Sequence, residues 1–175
     1  PPVKTYDLPD SFKPEDAGSG EALYRRSLYT YWRRTGPAPM LEAFDVPKRV
    51  TCVARRDTTN TPLHAFVLLN GVQFVEAARV LAEKLLVETQ GDAAAALALA
   101  FERLTSRPPD DAERAILARM HAGQHAWYAA RPEEAKKFVT VGQAMRTESL
   151  PDIDVAAAAG VINALMNYDE SVVKR

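Results

Sequence analysis

Helical spacing of apolar residues repeats along the chain after Thr61, and no other feature constrains the fold as strongly. Apolar side chains recur three or four positions apart in separate segments: Phe74 to Leu85, Leu97 to Leu104, Ile116 to Trp127 and Val155 to Met166. This interval matches the α-helical turn of about 3.6 residues and not the alternation of a strand. We therefore predict an all-α fold, a compact multi-helix body in which Ile116, Met120 and Trp127 face inward.

Local sequence signals mark where these helices begin. Thr61 and Pro62 supply a hydroxyl N-cap followed by proline at the first helical position, which needs no backbone N–H there. Asp110 and Glu113 have the spacing of a capping box, in which each side chain binds the other residue's backbone N–H. No stretch of about 18 apolar residues is present, so the sequence predicts no transmembrane helix.

The N-terminal residues have a different character and divide the chain. Residues 1–20 contain four prolines and no lasting periodicity, which predicts an extended strap. Residues 21–60 are interpreted as an irregular, basic arm, with a first helix from Glu21 to Arg34 and a short strand near Val50 to Val53. Residues 61–175 form the helical body of a single domain. Because the chain opens with proline rather than methionine, we expect a fragment, a processed product or the C-terminal part of a longer protein.

The arm is basic although the whole chain is not. From Gly20 to Arg56 there are eight Lys and Arg against three Asp and Glu, whereas the whole chain has a net charge of -1. Guanidinium groups bind carboxylates and phosphates and stack on aromatic rings. Arg25, Tyr29 and Arg33 fall on one helical stripe, which is either an anion or docking surface or a set of internal ion pairs. A nucleic acid partner is not expected, because the basic bias is local.

Two further groups in the arm have competing structural and chemical interpretations. Asp45 lies in an Asp-x-Pro turn among arginines, where nearby positive charge keeps a carboxylate ionised and suits a structural role better than that of a base. Cys52 is the only cysteine, which excludes an internal disulfide. Arg55 and Arg56 favour a thiolate at Cys52, but a buried structural thiol is the expected state.

The histidines do not form a predicted metal site. His121 and His125 stand four residues apart, the spacing of a two-histidine metal grip. The residues between them lack the glutamate of the zinc-protease pattern, and both lie off the predicted inward face, so we expect a solvated helix flank. His64 is interpreted as a surface or boundary residue and Asn60 as a loop residue. No residue is assigned a catalytic role.

Several motifs together resemble one known family. They are YRRSLYTYWRRT, FDVPKRVTCVARR, TNTPLHAFVLLN and FVEAARVLAEKLL, with weaker matches at LTSRPPDDAE and ALMNYDE. These motifs resemble the planctomycete-specific domain of unknown function found at the C-terminal end of large planctomycete cytochrome-c-type proteins. The positions that match its strongest motif are Arg25, Arg26, Tyr29, Trp32, Arg33, Asp45, Arg49, Cys52, Arg55, Arg56, Asn60, Thr61 and Asn70. The chain departs from the family pattern at Asp57, His64 and Tyr168.

The resemblance implies a C-terminal helical module of an exported, periplasmic or cell-surface protein. It implies no cofactor in this chain, with a haem c in an upstream domain or a partner, and a partner that is that upstream domain or another protein subunit. The residues expected to bind an anion or dock a protein are Arg25, Arg26, Tyr29, Trp32, Arg33, Asp45, Arg49, Arg55, Arg56 and Asn60. Three functions stay open: docking or assembly within a larger protein, a share in the active cleft of a polysaccharide-acting oxidoreductase or hydrolase, and a pure assembly protein that forms fibres or coats.

Overall fold

The structure, a computed structural model, describes residues 39–47, 51–55, 59 and 61–172. Within these residues the secondary structure is helical and contains no strand, which confirms the predicted all-α class. The helices are α1 (Pro39–Ala43), α2 (Pro62–Asn70), α3 (Val72–Glu88), α4 (Ala93–Thr105), α5 (Asp111–Ala129), α6 (Pro132–Val139), α7 (Asp152–Leu165) and α8 (Asp169–Val172). The predicted strap and first helix lie outside the described residues, so they stay predictions.

The chain divides into two compact units, Pro1–Val67 and Leu68–Arg175. In the first unit, α1 begins at a position that we expected to be irregular, and residues 51–55 do not form the expected strand. Among the described residues no single helix is long and apolar enough to cross a membrane. Only α2 and α3 taken together, as a bent pair, meet that test by length and composition.

Helix α7 is the centre of the second unit, where α3, α4, α5 and α6 all contact it. Nine of its fourteen residues are buried, so it is enclosed on all sides rather than along one stripe. A helix that is apolar all round is expected to be enclosed in this way. The run Ala156–Ala159 keeps its surface close to its axis, which lets the neighbouring helices approach closely. The core therefore forms around α7.

Helix α5 does not face the core as predicted. The side chains of Ile116, Met120 and Trp127 are 46%, 37% and 44% exposed, and the prediction that they face inward is wrong. Leu117 and Tyr128 are buried instead. One residue along a helix corresponds to a rotation of about 100°, so α5 carries two apolar stripes on adjacent sides. The core uses the stripe of Leu117 and Tyr128.

Two predicted helix starts are confirmed, because α2 begins at Pro62 and α5 follows Asp110. The capping box at the start of α5 is present, because Asp110 accepts a hydrogen bond from Glu113 N at 2.7 Å and the Glu113 carboxylate accepts one from Asp110 N at 2.8 Å. Arg107 adds two bonds of 2.8 and 2.6 Å to the same carboxylate. The hydrogen bonds from Arg107, then the bond from Asp110 N and the charge of Arg107, lower the pKa of Glu113 to about 2.

A buried set of charged side chains on α3 holds the segment before α7. Arg79 is 1% exposed, and its guanidinium donates to the Glu83 carboxylate at 2.7 Å and to the carbonyl of Ala144 at 2.8 Å. Glu76 accepts from the backbone N–H of Gln143 at 2.6 Å and from that of Ala144. Helix α3 thus supplies the hydrogen bonds that this loop cannot form internally.

Gly142 is required by this arrangement. Its φ is +95°, and a Cβ at this position would lie 2.3 Å from Cδ of Glu76. Gly91 has a similar φ of +90°, but nothing lies within 4 Å of its Cβ position. The two glycines therefore share a left-handed backbone and differ in the space around them.

We predict that Gly142→Ala lowers the free energy of unfolding more than Gly91→Ala. Both variants place a side chain in the left-handed region, at a cost of about 1–2 kcal/mol. Gly142→Ala must also displace the Glu76 carboxylate from the backbone N–H groups of Gln143 and Ala144, which adds about 1–3 kcal/mol. Urea denaturation of the two variants checks this, and equal losses would contradict the role assigned to Glu76.

Candidate functional site

Most of the predicted binding residues lie outside the described part of the chain. These are Arg25, Arg26, Tyr29, Trp32, Arg33, Arg49, Arg56 and Asn60. Asp45 and Arg55 are described, and Arg55 is exposed. Cys52 is a free thiol with an exposed side chain, so the expectation of a buried structural thiol is wrong. The candidate site that the structure does show is centred on Asp45.

Asp45 closes the end of α1 in a left-handed conformation with a φ of 54°. Its N–H donates to the carbonyl of Glu42 at 3.2 Å, and Val46 N donates to the carbonyl of Leu41 at 3.2 Å. Aspartate is one of the few non-glycine residues that adopt this region readily. The Asp-x-Pro turn therefore has a local cause: the following Pro47 cannot continue a helix.

The Asp45 carboxylate joins segments that are distant in sequence. Its Oδ2 accepts hydrogen bonds from Thr59 N at 2.8 Å and from Thr59 Oγ1 at 2.6 Å. His64 Nε2 lies 3.9 Å from the same oxygen, and the His64 ring is 5.3 Å from the ring of Phe44. The sequence patterns did not predict the contacts with Thr59 and His64.

The contacts of Asp45 fit a structural role, which is to hold chain segments together, better than they fit a role in proton transfer. The two bonds from Thr59 occupy Asp45 Oδ2, and 3.9 Å is too long for a hydrogen bond from His64. His64 Nε2 is buried without a hydrogen-bond partner among the described contacts. A catalytic base is oriented by a partner within hydrogen-bond reach, and at 3.9 Å Asp45 does not orient His64 in this way. The Asp45 turn thus fixes the residues that lead into α2.

The histidine pair on α5 is half-buried rather than fully solvated. His125 Nε2 is 3.1 Å from Asp154 Oδ1, and the His121 and His125 rings are 6.0 Å apart. His121 Nε2 is buried with no described hydrogen-bond partner. Burial lowers the pKa of His121, the charge of His125 lowers it further, and Asp154 partly opposes both. Within the described residues no cluster of three potential ligands can hold a metal ion.

We predict that the protein loses stability as pH falls below about 6.5, the ordinary pKa of histidine. The pKa of folded His121 is lower, so just below that pH the unfolded chain binds a proton that the folded chain does not. The free energy of unfolding therefore decreases with falling pH. In His121→Gln the decrease should be smaller.

Urea unfolding at pH 7.5 and 5.5 measures this difference. His125→Gln is the comparison variant: it keeps the burial of His121, the main cause of the lowered pKa, and should keep most of the decrease, although it also removes the 3.1 Å contact of His125 with Asp154. If the free energy of unfolding falls by the same amount between the two pH values in the wild type and in His121→Gln, His121 does not cause the decrease.

Comparison with known proteins identifies a family. Residues 1–121 match the model of the family described as PSD1, protein of unknown function (DUF1553). The chain belongs to this family. The match covers the Asp45 turn and the helices from α1 to α4, and it ends inside α5. No curated protein and no solved structure matches the chain.

Proposed function

We propose that this member of the DUF1553 family is a docking module, the C-terminal helical part of an exported, cytochrome-c-linked planctomycete protein. Family membership leaves the function open, and the planctomycete and cytochrome links rest on the motif resemblance. The partner proposed is the upstream domain of the same polypeptide. One structural observation carries the docking role: the exposed side of α5.

The α5 face consists of Ile116, Met120, Gly123 and Trp127. These residues are spaced by four, three and four positions, so they form one stripe along about 16 Å of helix. The three large side chains are 46%, 37% and 44% exposed, and Gly123 has open space around it. Single exposed apolar residues are ordinary, but an aligned set is typical of a protein interaction site.

Trp127 is held in a fixed orientation on this face. The guanidinium of Arg131 lies 4.8 Å from its ring centroid, and the ring of Tyr128 meets it edge-on at 4.9 Å. Tryptophan dominates binding energy at many protein interfaces, and a side chain that is already ordered loses less entropy on binding. The α5 face thus has the composition and rigidity of a docking surface.

The basic arm is proposed to extend the same docking role. Arg25, Arg26 and Arg33 would pair with carboxylates of the upstream domain, and Tyr29 and Trp32 would bury their rings there. The periplasmic or cell-surface location and an upstream haem c are part of the proposal. The alternative of a shared polysaccharide-acting cleft is less well supported, because Thr59 occupies the Asp45 carboxylate oxygen closest to His64.

We predict that Met120 and Trp127 are protected from oxidation in the intact full-length protein. Hydroxyl-radical footprinting, read out by mass spectrometry, should label both several-fold more slowly there than in the isolated chain, because docking covers the α5 face. Met145 is 94% exposed and lies outside that face, so it serves as the internal control.

Equal labelling of Met120 and Trp127 in both proteins, with Met145 unchanged, would contradict docking through the α5 face. Protection of all three residues alike would also contradict it, since a general loss of exposure is not a specific contact.

We predict that the native complex containing this chain has a haem c spectrum. A Soret band together with sharp reduced bands after addition of dithionite should co-purify with the chain. Purification of the complex without any Soret absorption would contradict the cytochrome link. The docking role would then be tested by the footprinting experiment alone.

A further inference from the structure

A cleft between α4 and α5 lies on the flank of α5 away from the α5 face. Its volume is about 290 Å³. The described residues that line it are Ala94, Ala95, Leu97, Ala98, Arg114, Leu117, Ala118 and His121. The space exists because α4 presents alanines to α5 at this position, and their side chains are too short to fill it. A pocket near 300 Å³ is at the lower end of small-molecule sites.

Arg114 gives the cleft a positive charge that the described contacts leave unpaired. Within residues 61–172, Arg79, Arg103, Arg107, Arg131 and Arg146 each have an ion pair or an aromatic ring as partner. Arg114 and Arg119 have neither among the contacts described for these residues. No acidic side chain is among the described residues that line the cleft. Its electrostatics therefore favour an anion.

His121 adds a neutral polar group to the same space. Its Nε2 is buried without a described hydrogen-bond partner, and burial lowers its pKa, so the imidazole is uncharged near neutral pH. A buried ring nitrogen without a partner is costly, and a ligand that supplies one would recover that cost. The imidazole and the guanidinium lie seven residues apart, on one side of α5.

We propose that this cleft binds a small monocarboxylate with a short apolar body, such as an aromatic ring or a short acyl chain. A carboxylate matches the planar fork of the Arg114 guanidinium, which binds it through two parallel hydrogen bonds. The alanine walls suit the apolar body, and the His121 ring offers one further hydrogen bond. This binding site is separate from the docking role and does not depend on it.

The test uses benzoate as the probe and benzamide as its uncharged counterpart, in NMR titrations of the chain. Benzoate should saturate a single site with shifts at residues 94–98 and 114–121, and benzamide should bind at least about tenfold more weakly, because it lacks the charge. In Arg114→Gln the affinity for benzoate should also fall about tenfold or more.

Two further variants separate the site from general effects. Arg119→Gln is the matched control, since Arg119 is exposed, lies on the same helix and is not part of the cleft. Its affinity for benzoate should equal that of the wild type. Ala98→Leu fills the cleft and should abolish binding in a chain that keeps its melting temperature. Absence of saturable binding to the wild type, or equal affinity in Arg114→Gln and the wild type, would overturn the proposal.

Discussion

The burial of α7 is the constraint on which the rest of the second unit depends. Helices α3, α4, α5 and α6 all contact it. Its alanines have no side-chain rotamer freedom to lose, and they bring the neighbouring backbones close together. Because the alanines are small and closely packed, larger residues are poorly tolerated in α7. An added methylene in such a core forces side chains out of their preferred rotamers. The fold therefore depends on the small side chains of α7, which let the four neighbouring helices pack against it.

The charged side chains of α3 also stabilise the second unit, through hydrogen bonds rather than through apolar packing. Arg79 and Glu83 are 1% and 3% exposed, and taking such groups out of water is unfavourable unless they are paired. Their pairing with each other is completed by bonds to the loop, where Glu83 accepts from Thr147 N at 3.2 Å and from Thr147 Oγ1 at 3.1 Å. An apolar stripe on α3 would not fix the path of that loop. The hydrogen bonds of Arg79 and Glu83 to Ala144 and Thr147 do, and they hold the loop that leads into α7.

The sequence predicted what is local and missed what depends on distant contacts. Helical spacing located α3, α4, α5 and α7, and the Asp110 and Glu113 pattern located the start of α5, because periodicity and capping act within one or two turns. The orientation of α5 was missed because its two apolar stripes are equivalent locally. The choice between them is made by α7, which lies 23 residues beyond the end of α5. The partners of Asp45 were missed for the same reason, since Thr59 is 14 positions away.

Helix α5 shows how one element serves several purposes in this family member. Leu117 and Tyr128 pack in the core, Arg114 lies at the cleft, and Met120 lies on the exposed face. The family match ends at residue 121, so it includes Arg114 and Met120 but excludes Trp127 and all of α7. Yet α3 and α4 have apolar stripes that must be covered for the fold to be stable. The helices inside the match thus need a partner helix from outside it, and in this chain α7 is that partner.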